Sequence, residues 1–420
     1  MSDFIERTLE KVANIGMGQS PPSSSYSDQE RGLPFLQGCS EFGNKHPHAV
    51  VYCDSPTRIA PKDAILISVR APVGALNIAD REFCIGRGLG FVEGRSALTK
   101  YLYYLLTMLR PHLESRGQGS TFEAINTSDL KNLLLELPTP LEQRKIARIL
   151  TTVDNLIEKT EALIAKYQAV KQGMVHDLFT RGVDARGHLR PTCEEAPELY
   201  KESELGWIPK EWEYRSIDSI ALRVGSGITP TGGSEVYVTE GVIFIRSQNI
   251  MLDGINLSDA AYISEKTHQQ MAVSEVFPFD VLLNITGASI GRCCYLPDGL
   301  GPTNTNQHVC CIRIKKPNEV DAKFLSSVLS SPIGQNQIFR LNAGGNREGL
   351  NYQQLRSFVV PWPRGKERKL IATRLISIET RIQVEKQMFK KCYLLKTGLM
   401  QDLLTGKVRV NIDKPGEAAA

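Results

Sequence analysis

The stretch EQRKIARILTTVDNLIEKTEALIAKYQAVKQGMVHDLF, residues 142–179, decides how the rest of the chain is organised. Read at alternating three- and four-residue steps it gives Ile146, Ile149, Val153, Leu156, Thr160, Leu163, Tyr167, Val170 and Met174. Such steps place side chains on one face of a helix, and two positions in seven make the seam of a coiled coil. No proline interrupts the stretch, and its one glycine, Gly173, falls near the end. A single surface helix of a globular domain is the competing reading, but such helices seldom exceed about 25 residues. The pattern therefore predicts a long helix that buries its stripe on another long helix.

The chain itself supplies that other helix. From Asn126 onward it repeats 225 positions later without a gap: Asn126 returns as Asn351, Leu130 as Leu355, Pro138 as Pro363, Glu142 as Glu367, Gly173 as Gly398 and Thr180 as Thr405. Upstream the repeat continues with a drifting offset. Gly16-Met17-Gly18-Gln19-Ser20-Pro21 returns as Gly225-Ser226-Gly227-Ile228-Thr229-Pro230, and Ala71-Pro72-Val73-Gly74 as Ala288-Ser289-Ile290-Gly291. Drift marks domains whose loops vary in length, and a fixed offset marks helices of one length.

The expected order is a first mixed α/β domain at 1–138, a central long helix at 139–182, a polar linker at 183–205 and a second such domain at 206–363. A distal long helix at 364–408 and a tail at 409–420 follow. The fold class is α/β in its α+β form, with a pseudo-two-fold internal repeat. The second helix has Ile371, Leu375, Ile378, Ile382, Cys392, Leu395, Leu399 and Leu403 as its stripe; Arg381 and Glu385 interrupt it and must reach the edge or pair. An antiparallel pair of about 40 residues, about 60 Å long, is the expected arrangement. A parallel pair, with the second domain as the return crossover, satisfies the pattern as well.

Within the first domain, residues 16–22 read as a loop, Leu33 to Leu36 and Ala64 to Val69 as strands, and Cys84 to Val92 as one strand containing glycines. Leu98 to Leu109 reads as a helix, and Ser128-Asp129 opens a short capped segment before a strand at Leu133 to Leu137.

Several function classes drop out. No apolar run approaches the roughly 18 to 20 residues that cross a bilayer, and Met1 to Glu10 lacks a signal-peptide layout, so a cytoplasmic location is expected. Nine cysteines show no C-x-x-C; the pairs Cys293-Cys294 and Cys310-Cys311 sit in apolar runs and read as buried thiols. The histidines have no metal spacing. Gly406-Lys407-Val408 is not a phosphate loop, and the glycines of Gly86-Arg87-Gly88-Leu89-Gly90 are spaced wrongly for a dinucleotide. Ser20-Pro21-Pro22-Ser23 lacks the aromatic residue of an amino-methyltransferase motif. Pro297-Asp298 with Asp321-Ala322-Lys323 imitates a nuclease but reads as a turn and a helix.

A non-catalytic, sequence-specific binder of double-stranded DNA fits better: two similar, non-identical domains would read two different short sequences. That needs cations for phosphates and Arg, Asn, Gln, Ser or Thr for base edges. In the first domain the candidates are Gln19, Arg70, Arg87, Arg116, Gln118, Ser120 and Thr121. In the second they are Arg246, Gln248, Asn249, Thr286, Arg292, Asn304, Asn306, Gln307, Asn346 and Arg347. Ile146, Ile149, Val153, Leu156, Leu163, Ile371, Leu375, Ile378, Ile382 and Leu399 are the candidates for the coiled coil and for docking partners. Lys366 to Arg409 holds eleven Lys/Arg against four Asp/Glu, a basic helix suited to phosphate or to an acidic partner. A coiled-coil scaffold without DNA, and a fused methyltransferase or nuclease with diverged motifs, are the alternatives.

One family carries this pattern. Leu137-Pro138-Thr139-Pro140-Leu141-Glu142-Gln143-Arg144-Lys145-Ile146-Ala147, its degraded copy from Pro361 to Ala372, the helix exits Gly173 to Thr180 and Gly398 to Lys407, and Leu205 to Trp212 resemble the specificity subunit of type I restriction-modification systems. The resemblance covers nearly the whole chain. It implies two target-recognition domains on spacer helices, and two modification (methyltransferase) subunits as partners that bring S-adenosylmethionine. It also implies restriction (translocase and nuclease) subunits that bring ATP and Mg, with no cofactor, catalytic residue or metal in this chain. Arg364-Gly365-Lys366 stands where the first copy has Thr139-Pro140-Leu141, so the two docking sites are expected to differ.

Overall fold

The computed structural model describes residues 4–117, 124–252, 254–342 and 349–412. They form two compact units, Met1–Glu161 with Gln387–Ala420, and Ala162–Lys386. The division cuts through two long helices, Pro140–Thr180 and Gly365–Leu404, so each unit owns part of both.

In the first unit a four-stranded antiparallel sheet has the order Ala13–Met17, Leu89–Gly94, Ile65–Ser68, Leu76–Ile78. A five-stranded sheet has the order Tyr26–Ser27, Val51–Cys53, Leu33–Leu36, Phe83–Ile85, Ile59–Ala60, and its strands Leu33–Leu36 and Phe83–Ile85 run parallel. The strand Ile5–Thr8 pairs with Leu134–Leu137, which delivers the chain to the long helix.

The second unit repeats every part of this plan. Its four-stranded sheet runs Ala221–Ser226, Val309–Ile314, Val281–Asn284, Cys293–Tyr295. Its five-stranded sheet runs Tyr237–Val238, Ala261–Ile263, Val242–Ile245, Thr303–Thr305, Glu275–Val276, with the middle pair again parallel. Glu213–Ser216 pairs with Val359–Trp362 before the second long helix. The internal repeat thus extends from sequence to strand order.

Local chemistry explains the elements. Ile65–Ser68 and Val281–Asn284 are buried at all four positions, as suits strands covered on both faces. Asn126 caps Thr127–Lys131 and Asn351 caps Tyr352–Ser357, each through a reciprocal capping box. The first long helix opens the same way: Thr139 N–H donates to Glu142 Oε2 at 3.1 Å, its hydroxyl accepts from Glu142 N–H at 3.4 Å, and Pro140 takes the first helical position.

Two local readings are corrected by strand pairing. Gly16 and Met17 belong to a strand, paired with Phe91 and Gly90, and the Phe91 ring occupies the space where Gly16 would carry a Cβ. Gly225 and Ser226 likewise close a strand. Cys84 to Val92 is two strands, Phe83–Ile85 and Leu89–Gly94, in different sheets, joined by the turn Gly86-Arg87-Gly88. The segment 183–205 packs into the second unit: Val183 and Tyr200 are buried, and Tyr200–Ser203 pairs with Gly206–Pro209.

Within each unit the long helices pair antiparallel. In the first, Lys396 Nζ lies 2.7 Å from Asp154 Oδ1; in the second, Lys171 Nζ lies 2.8 Å from Glu379 Oε1. Asp154 and Glu379 are repeat partners, as are Lys171 and Lys396. Each carboxylate also takes a group from its own recognition domain: the Tyr104 hydroxyl donates to Asp154 Oδ2 at 2.7 Å, and the Lys323 ammonium bonds Glu379. Burial lowers the Lys323 pKa, partly offset by Glu379. Asp321 bonds Arg368 at 2.7 Å, so the nuclease-like Asp321 and Lys323 are both fastened to the second long helix.

The starting glutamates are clamped too. Arg409, which follows the second helix, donates to Glu142 at 2.7 Å. Arg190, which follows the first, donates to Glu367 Oε2 at 3.1 Å, and Val183 N–H donates to Glu367 Oε1 at 2.8 Å. Burial pushes the Glu142 pKa up, but hydrogen bonds from Arg409 and Thr139 outweigh it and hold the carboxyl below its ordinary value.

The seam residues Ile146, Val153, Ile371, Leu375 and Ile382 are buried; Ile149, Leu163, Ile378 and Leu399 are partly so. Leu156, Val170 and Leu395 are exposed, whereas the buried residues near the helix ends pack into the domain cores. Arg381 pairs with Glu385 at 3.1 Å and lies over the Tyr167 ring.

Arg190 and Glu367 are each 11% exposed, so removing one partner leaves a nearly buried charge. Glu367→Ala is expected to cost about 3–5 kcal/mol, measured by urea unfolding of the full chain; a loss under about 1 kcal/mol would mean that the clamp behaves as a surface pair.

Candidate nucleic-acid interface

The loops after four strands of the first domain meet at one lip. After Ala13–Met17, Gly18 N–H donates to Leu89 O at 2.8 Å and Gln19 N–H to Ile85 O at 3.0 Å. The chains are so close that a Cβ at Gly18 would stand 2.1 Å from Gly86 O, which is why glycine is required there. After Leu33–Leu36, Gln37 accepts a backbone bond from Gly88 and lies 3.2 Å from Ser20 Oγ through its side chain. Ser20 Oγ in turn accepts from Arg87 N–H. After Ile65–Ser68, Val69 N–H donates to Gly88 O, and Arg70 forms a β-bridge with Ala124.

Gln19, Arg70 and Arg87 are therefore neighbours in one exposed lip despite wide separation in sequence. Among the described residues the guanidinium groups of Arg70 and Arg87 form no ion pair, which leaves the lip positive. Gln37 is exposed as well and was missed by the sequence reading; its signal was the position directly after a strand whose repeat partner, Arg246, was singled out.

The second domain builds the same lip. Gly227 N–H donates to Asn306 O at 3.2 Å, and a Cβ at Gly227 would stand 1.8 Å from Thr305 O. Ile285 N–H donates to His308 O, as Val69 does to Gly88, and Thr286 forms a β-bridge with Gly349, as Arg70 does with Ala124. The parallel registers Leu36↔Ile85 and Ile245↔Thr305 complete the equivalence. Structure thus matches Gln37 with Arg246, Arg70 with Thr286, Arg87 with Gln307 and Gly88 with His308.

The chemistry at these positions differs. Thr286 Oγ1 lies 2.7 Å from His308 Nδ1, and Gln307 bonds Thr229 and lies 3.1 Å from His308 through its amide nitrogen. Arg246 donates to Asp259 O at 2.8 Å and Gln248 to Asp259 Oδ2 at 2.6 Å, so one acidic residue organises both. Arg292 is half-buried and approaches the Met251 sulfur at 3.8 Å.

Not every candidate reaches the surface. Asn249 is fully buried, donating to Asn256 O and Asp259 Oδ1, both at 3.0 Å, while its carbonyl accepts Arg246 N–H. Asn304 is fully buried and donates to Met271 O. Asn306 is buried and accepts from His308 N–H. These three asparagines hold the lip together from behind; composition alone does not separate such a carboxamide from an exposed one. Arg116 lies in the helix Arg110–Gly117. Gln118, Ser120, Thr121, Asn346 and Arg347 lie outside the described residues, although Ala124 and Gly349, which follow those two segments, are both on a lip.

Among the described residues no group of three or more His, Cys, Asp or Glu side chains could hold a metal ion, and no helix is long and apolar enough to cross a membrane. All nine cysteines are free thiols, seven of them buried; burial pushes the Cys310 thiol up to about 12.

Comparison with known proteins gives a consistent picture. Residues 1–167 and 209–391 match the profile of the type I restriction modification DNA specificity domain. The chain is 40% identical over 180 residues to a putative type I restriction enzyme MjaX specificity subunit of Methanocaldococcus jannaschii, a match spanning 42% of each chain. It is 26% identical to the MjaVIII specificity subunit of the same organism over 74% of this chain and 70% of that one. It is 22% identical to the EcoBI specificity subunit of Escherichia coli over 89% and 78%. The crystal structure of a type I restriction-modification S subunit from M. genitalium shares the fold, with a TM-score of 0.64 at 17% identity over 96% of both chains.

The lips make a paired prediction. Gly227→Ala forces a Cβ into the Thr305 carbonyl and is expected to destabilise the protein by about 1–3 kcal/mol or more. Gly225→Ala, whose nearest neighbour would be Arg223 Nε at 3.9 Å, is expected to change stability far less. Equal effects in thermal unfolding would contradict the close approach.

Proposed function

The chain belongs to the family of type I restriction-modification DNA specificity proteins, and from that premise we propose that it is the subunit that reads a bipartite, asymmetric target on double-stranded DNA. The observation that supports this best is the duplicated lip: one strand order, used twice, presenting different side chains at matched positions. Identical lips would suit a palindrome. Matched but unlike lips suit two unlike half-sites.

The contacting set we propose is Gln19, Gln37, Arg70 and Arg87 in the first domain, and Arg246, Gln248, Thr286 and Gln307 in the second. Arg116, Gln118, Ser120, Thr121, Asn346 and Arg347 extend the set from the adjoining segments, and Arg292 stands at its edge. Arginine and lysine neutralise phosphates, and carboxamides and guanidinium groups read base edges. In this reading residues 1–138 and 206–363 are the recognition domains, and 139–182 and 364–408 are the spacers.

The long helices serve as the spacer and as the dock for two modification subunits, with restriction subunits joining that assembly. Exposed apolar residues on them, including Leu156, Val170, Leu394 and Leu395, offer surface for such partners. The chain has a non-catalytic role, so methyl transfer and cleavage reside in the partners. The location proposed is the cytoplasm, where the DNA is.

Deleting seven residues from each long helix removes about 10 Å of rise, about three base pairs of duplex at 3.4 Å each. Duplex selection by the deleted chain is expected to return the same two half-sites with a gap shorter by about that amount. An unchanged gap would sink the spacer role.

A further inference from the structure

Arg87 and Gln307 occupy one register position in two copies of the same lip. Each is the second residue after a strand that runs parallel to its neighbour, and each precedes a residue whose carbonyl accepts the N–H of Val69 or Ile285. Both side chains are exposed. Their surroundings differ in a way that bears on base recognition.

Gln307 is held on both sides. Its carbonyl oxygen accepts the Thr229 hydroxyl, and its amide nitrogen lies 3.1 Å from His308 Nε2. His308 Nδ1 lies 2.7 Å from Thr286 Oγ1. The carboxamide oxygen faces Thr229 and its nitrogen faces His308 Nε2, which accepts when the imidazole carries its proton on Nδ1, toward Thr286. A carboxamide has two acceptor lone pairs and two N–H donors. The lip uses one of each, so the exposed carboxamide keeps one acceptor and one donor to offer a base edge.

That remainder matches one base edge. In the major groove adenine offers the N6–H donor and the N7 acceptor, whereas guanine offers two acceptors, O6 and N7, that a guanidinium grips bidentately. Arg87 donates its backbone N–H to Ser20, while its guanidinium forms no hydrogen bond or ion pair among the described residues and keeps its fork available.

Resting on the reading of the chain as a DNA-specificity protein, we infer that the two lips read different bases at their equivalent position, an adenine through Gln307 and a guanine through Arg87. Thr229 and His308 are positioning residues in this scheme: they hold the amide in the orientation adenine needs and so reduce the ordering cost of binding. The first domain has no such chain, because Gly88 stands where His308 does.

The test is selection of bound duplexes from a randomised pool by the full-length chain, comparing wild type with Gln307→Arg, Arg87→Gln and Thr229→Val. Gln307→Arg is expected to replace one adenine by guanine in one half-site and leave the other half-site alone. Arg87→Gln is expected to lose one guanine in the other half-site, with its preference over the remaining bases falling roughly 10-fold or more. Thr229→Val is expected to weaken the preference for the Gln307 adenine without creating a new one. Uniform loss of affinity with unchanged half-sites in both Gln307→Arg and Arg87→Gln would overturn the inference and assign these residues to phosphate. If wild type selects no motif, the DNA-specificity reading itself fails, and this inference with it.

Discussion

A carboxylate taken out of water must be met by a cation or by hydrogen-bond donors, and the start of each long helix depends on that condition being met. Glu142 and Glu367 are repeat partners, and each is met by an arginine from the chain that has just left the other helix. The clamp therefore fastens a helix start to a helix exit, and it does so once in each unit. A second tie lies further along each pair, where Asp154 or Glu379 takes a lysine from the opposite helix and a polar group from the recognition domain. Each recognition domain is thus joined to its helices by directional contacts as well as by apolar packing.

Duplication with divergence follows from the same economy of parts. The backbone interactions of the lip recur in both domains: a glycine pressed against a neighbouring carbonyl, a β-bridge after a central strand, and a turn after a parallel strand. These involve main-chain atoms and glycines, so they leave the outward side chains free to differ. Arg70 and Arg87 of the first lip are matched by Thr286 and Gln307 of the second, which His308 links. Buried asparagines, Asn249 and Asn304, stiffen the second lip from behind, and no residue of the first lip repeats them.

Much of this was legible in the chain. The 225-residue repeat and the heptad stripe disclosed two domains and two helices, because a helix seam has a period and a fixed repeat has no freedom to drift. Antiparallel pairing was expected but needed the Lys396–Asp154 and Lys171–Glu379 pairs to settle it within each unit. The strand status of Gly16 and Gly225 was not legible, since a glycine-rich run reads as a loop until its cross-strand partners are known. Gln37 was overlooked for a related reason: only its repeat partner, Arg246, marks it in the sequence, and its place in the lip follows from the register of two parallel strands. Conversely, Asn249 and Asn304 look like surface residues in one dimension, and only burial shows that their amides are already used.

The central claim is that one chain carries two unlike reading heads on a fixed spacer. The most direct measurement is the pattern of methylated positions across the genome of a host that expresses the complete system. Two different short motifs separated by a gap of constant length, modified together, are predicted. A single ungapped or palindromic motif, or a gap of variable length, would contradict the account.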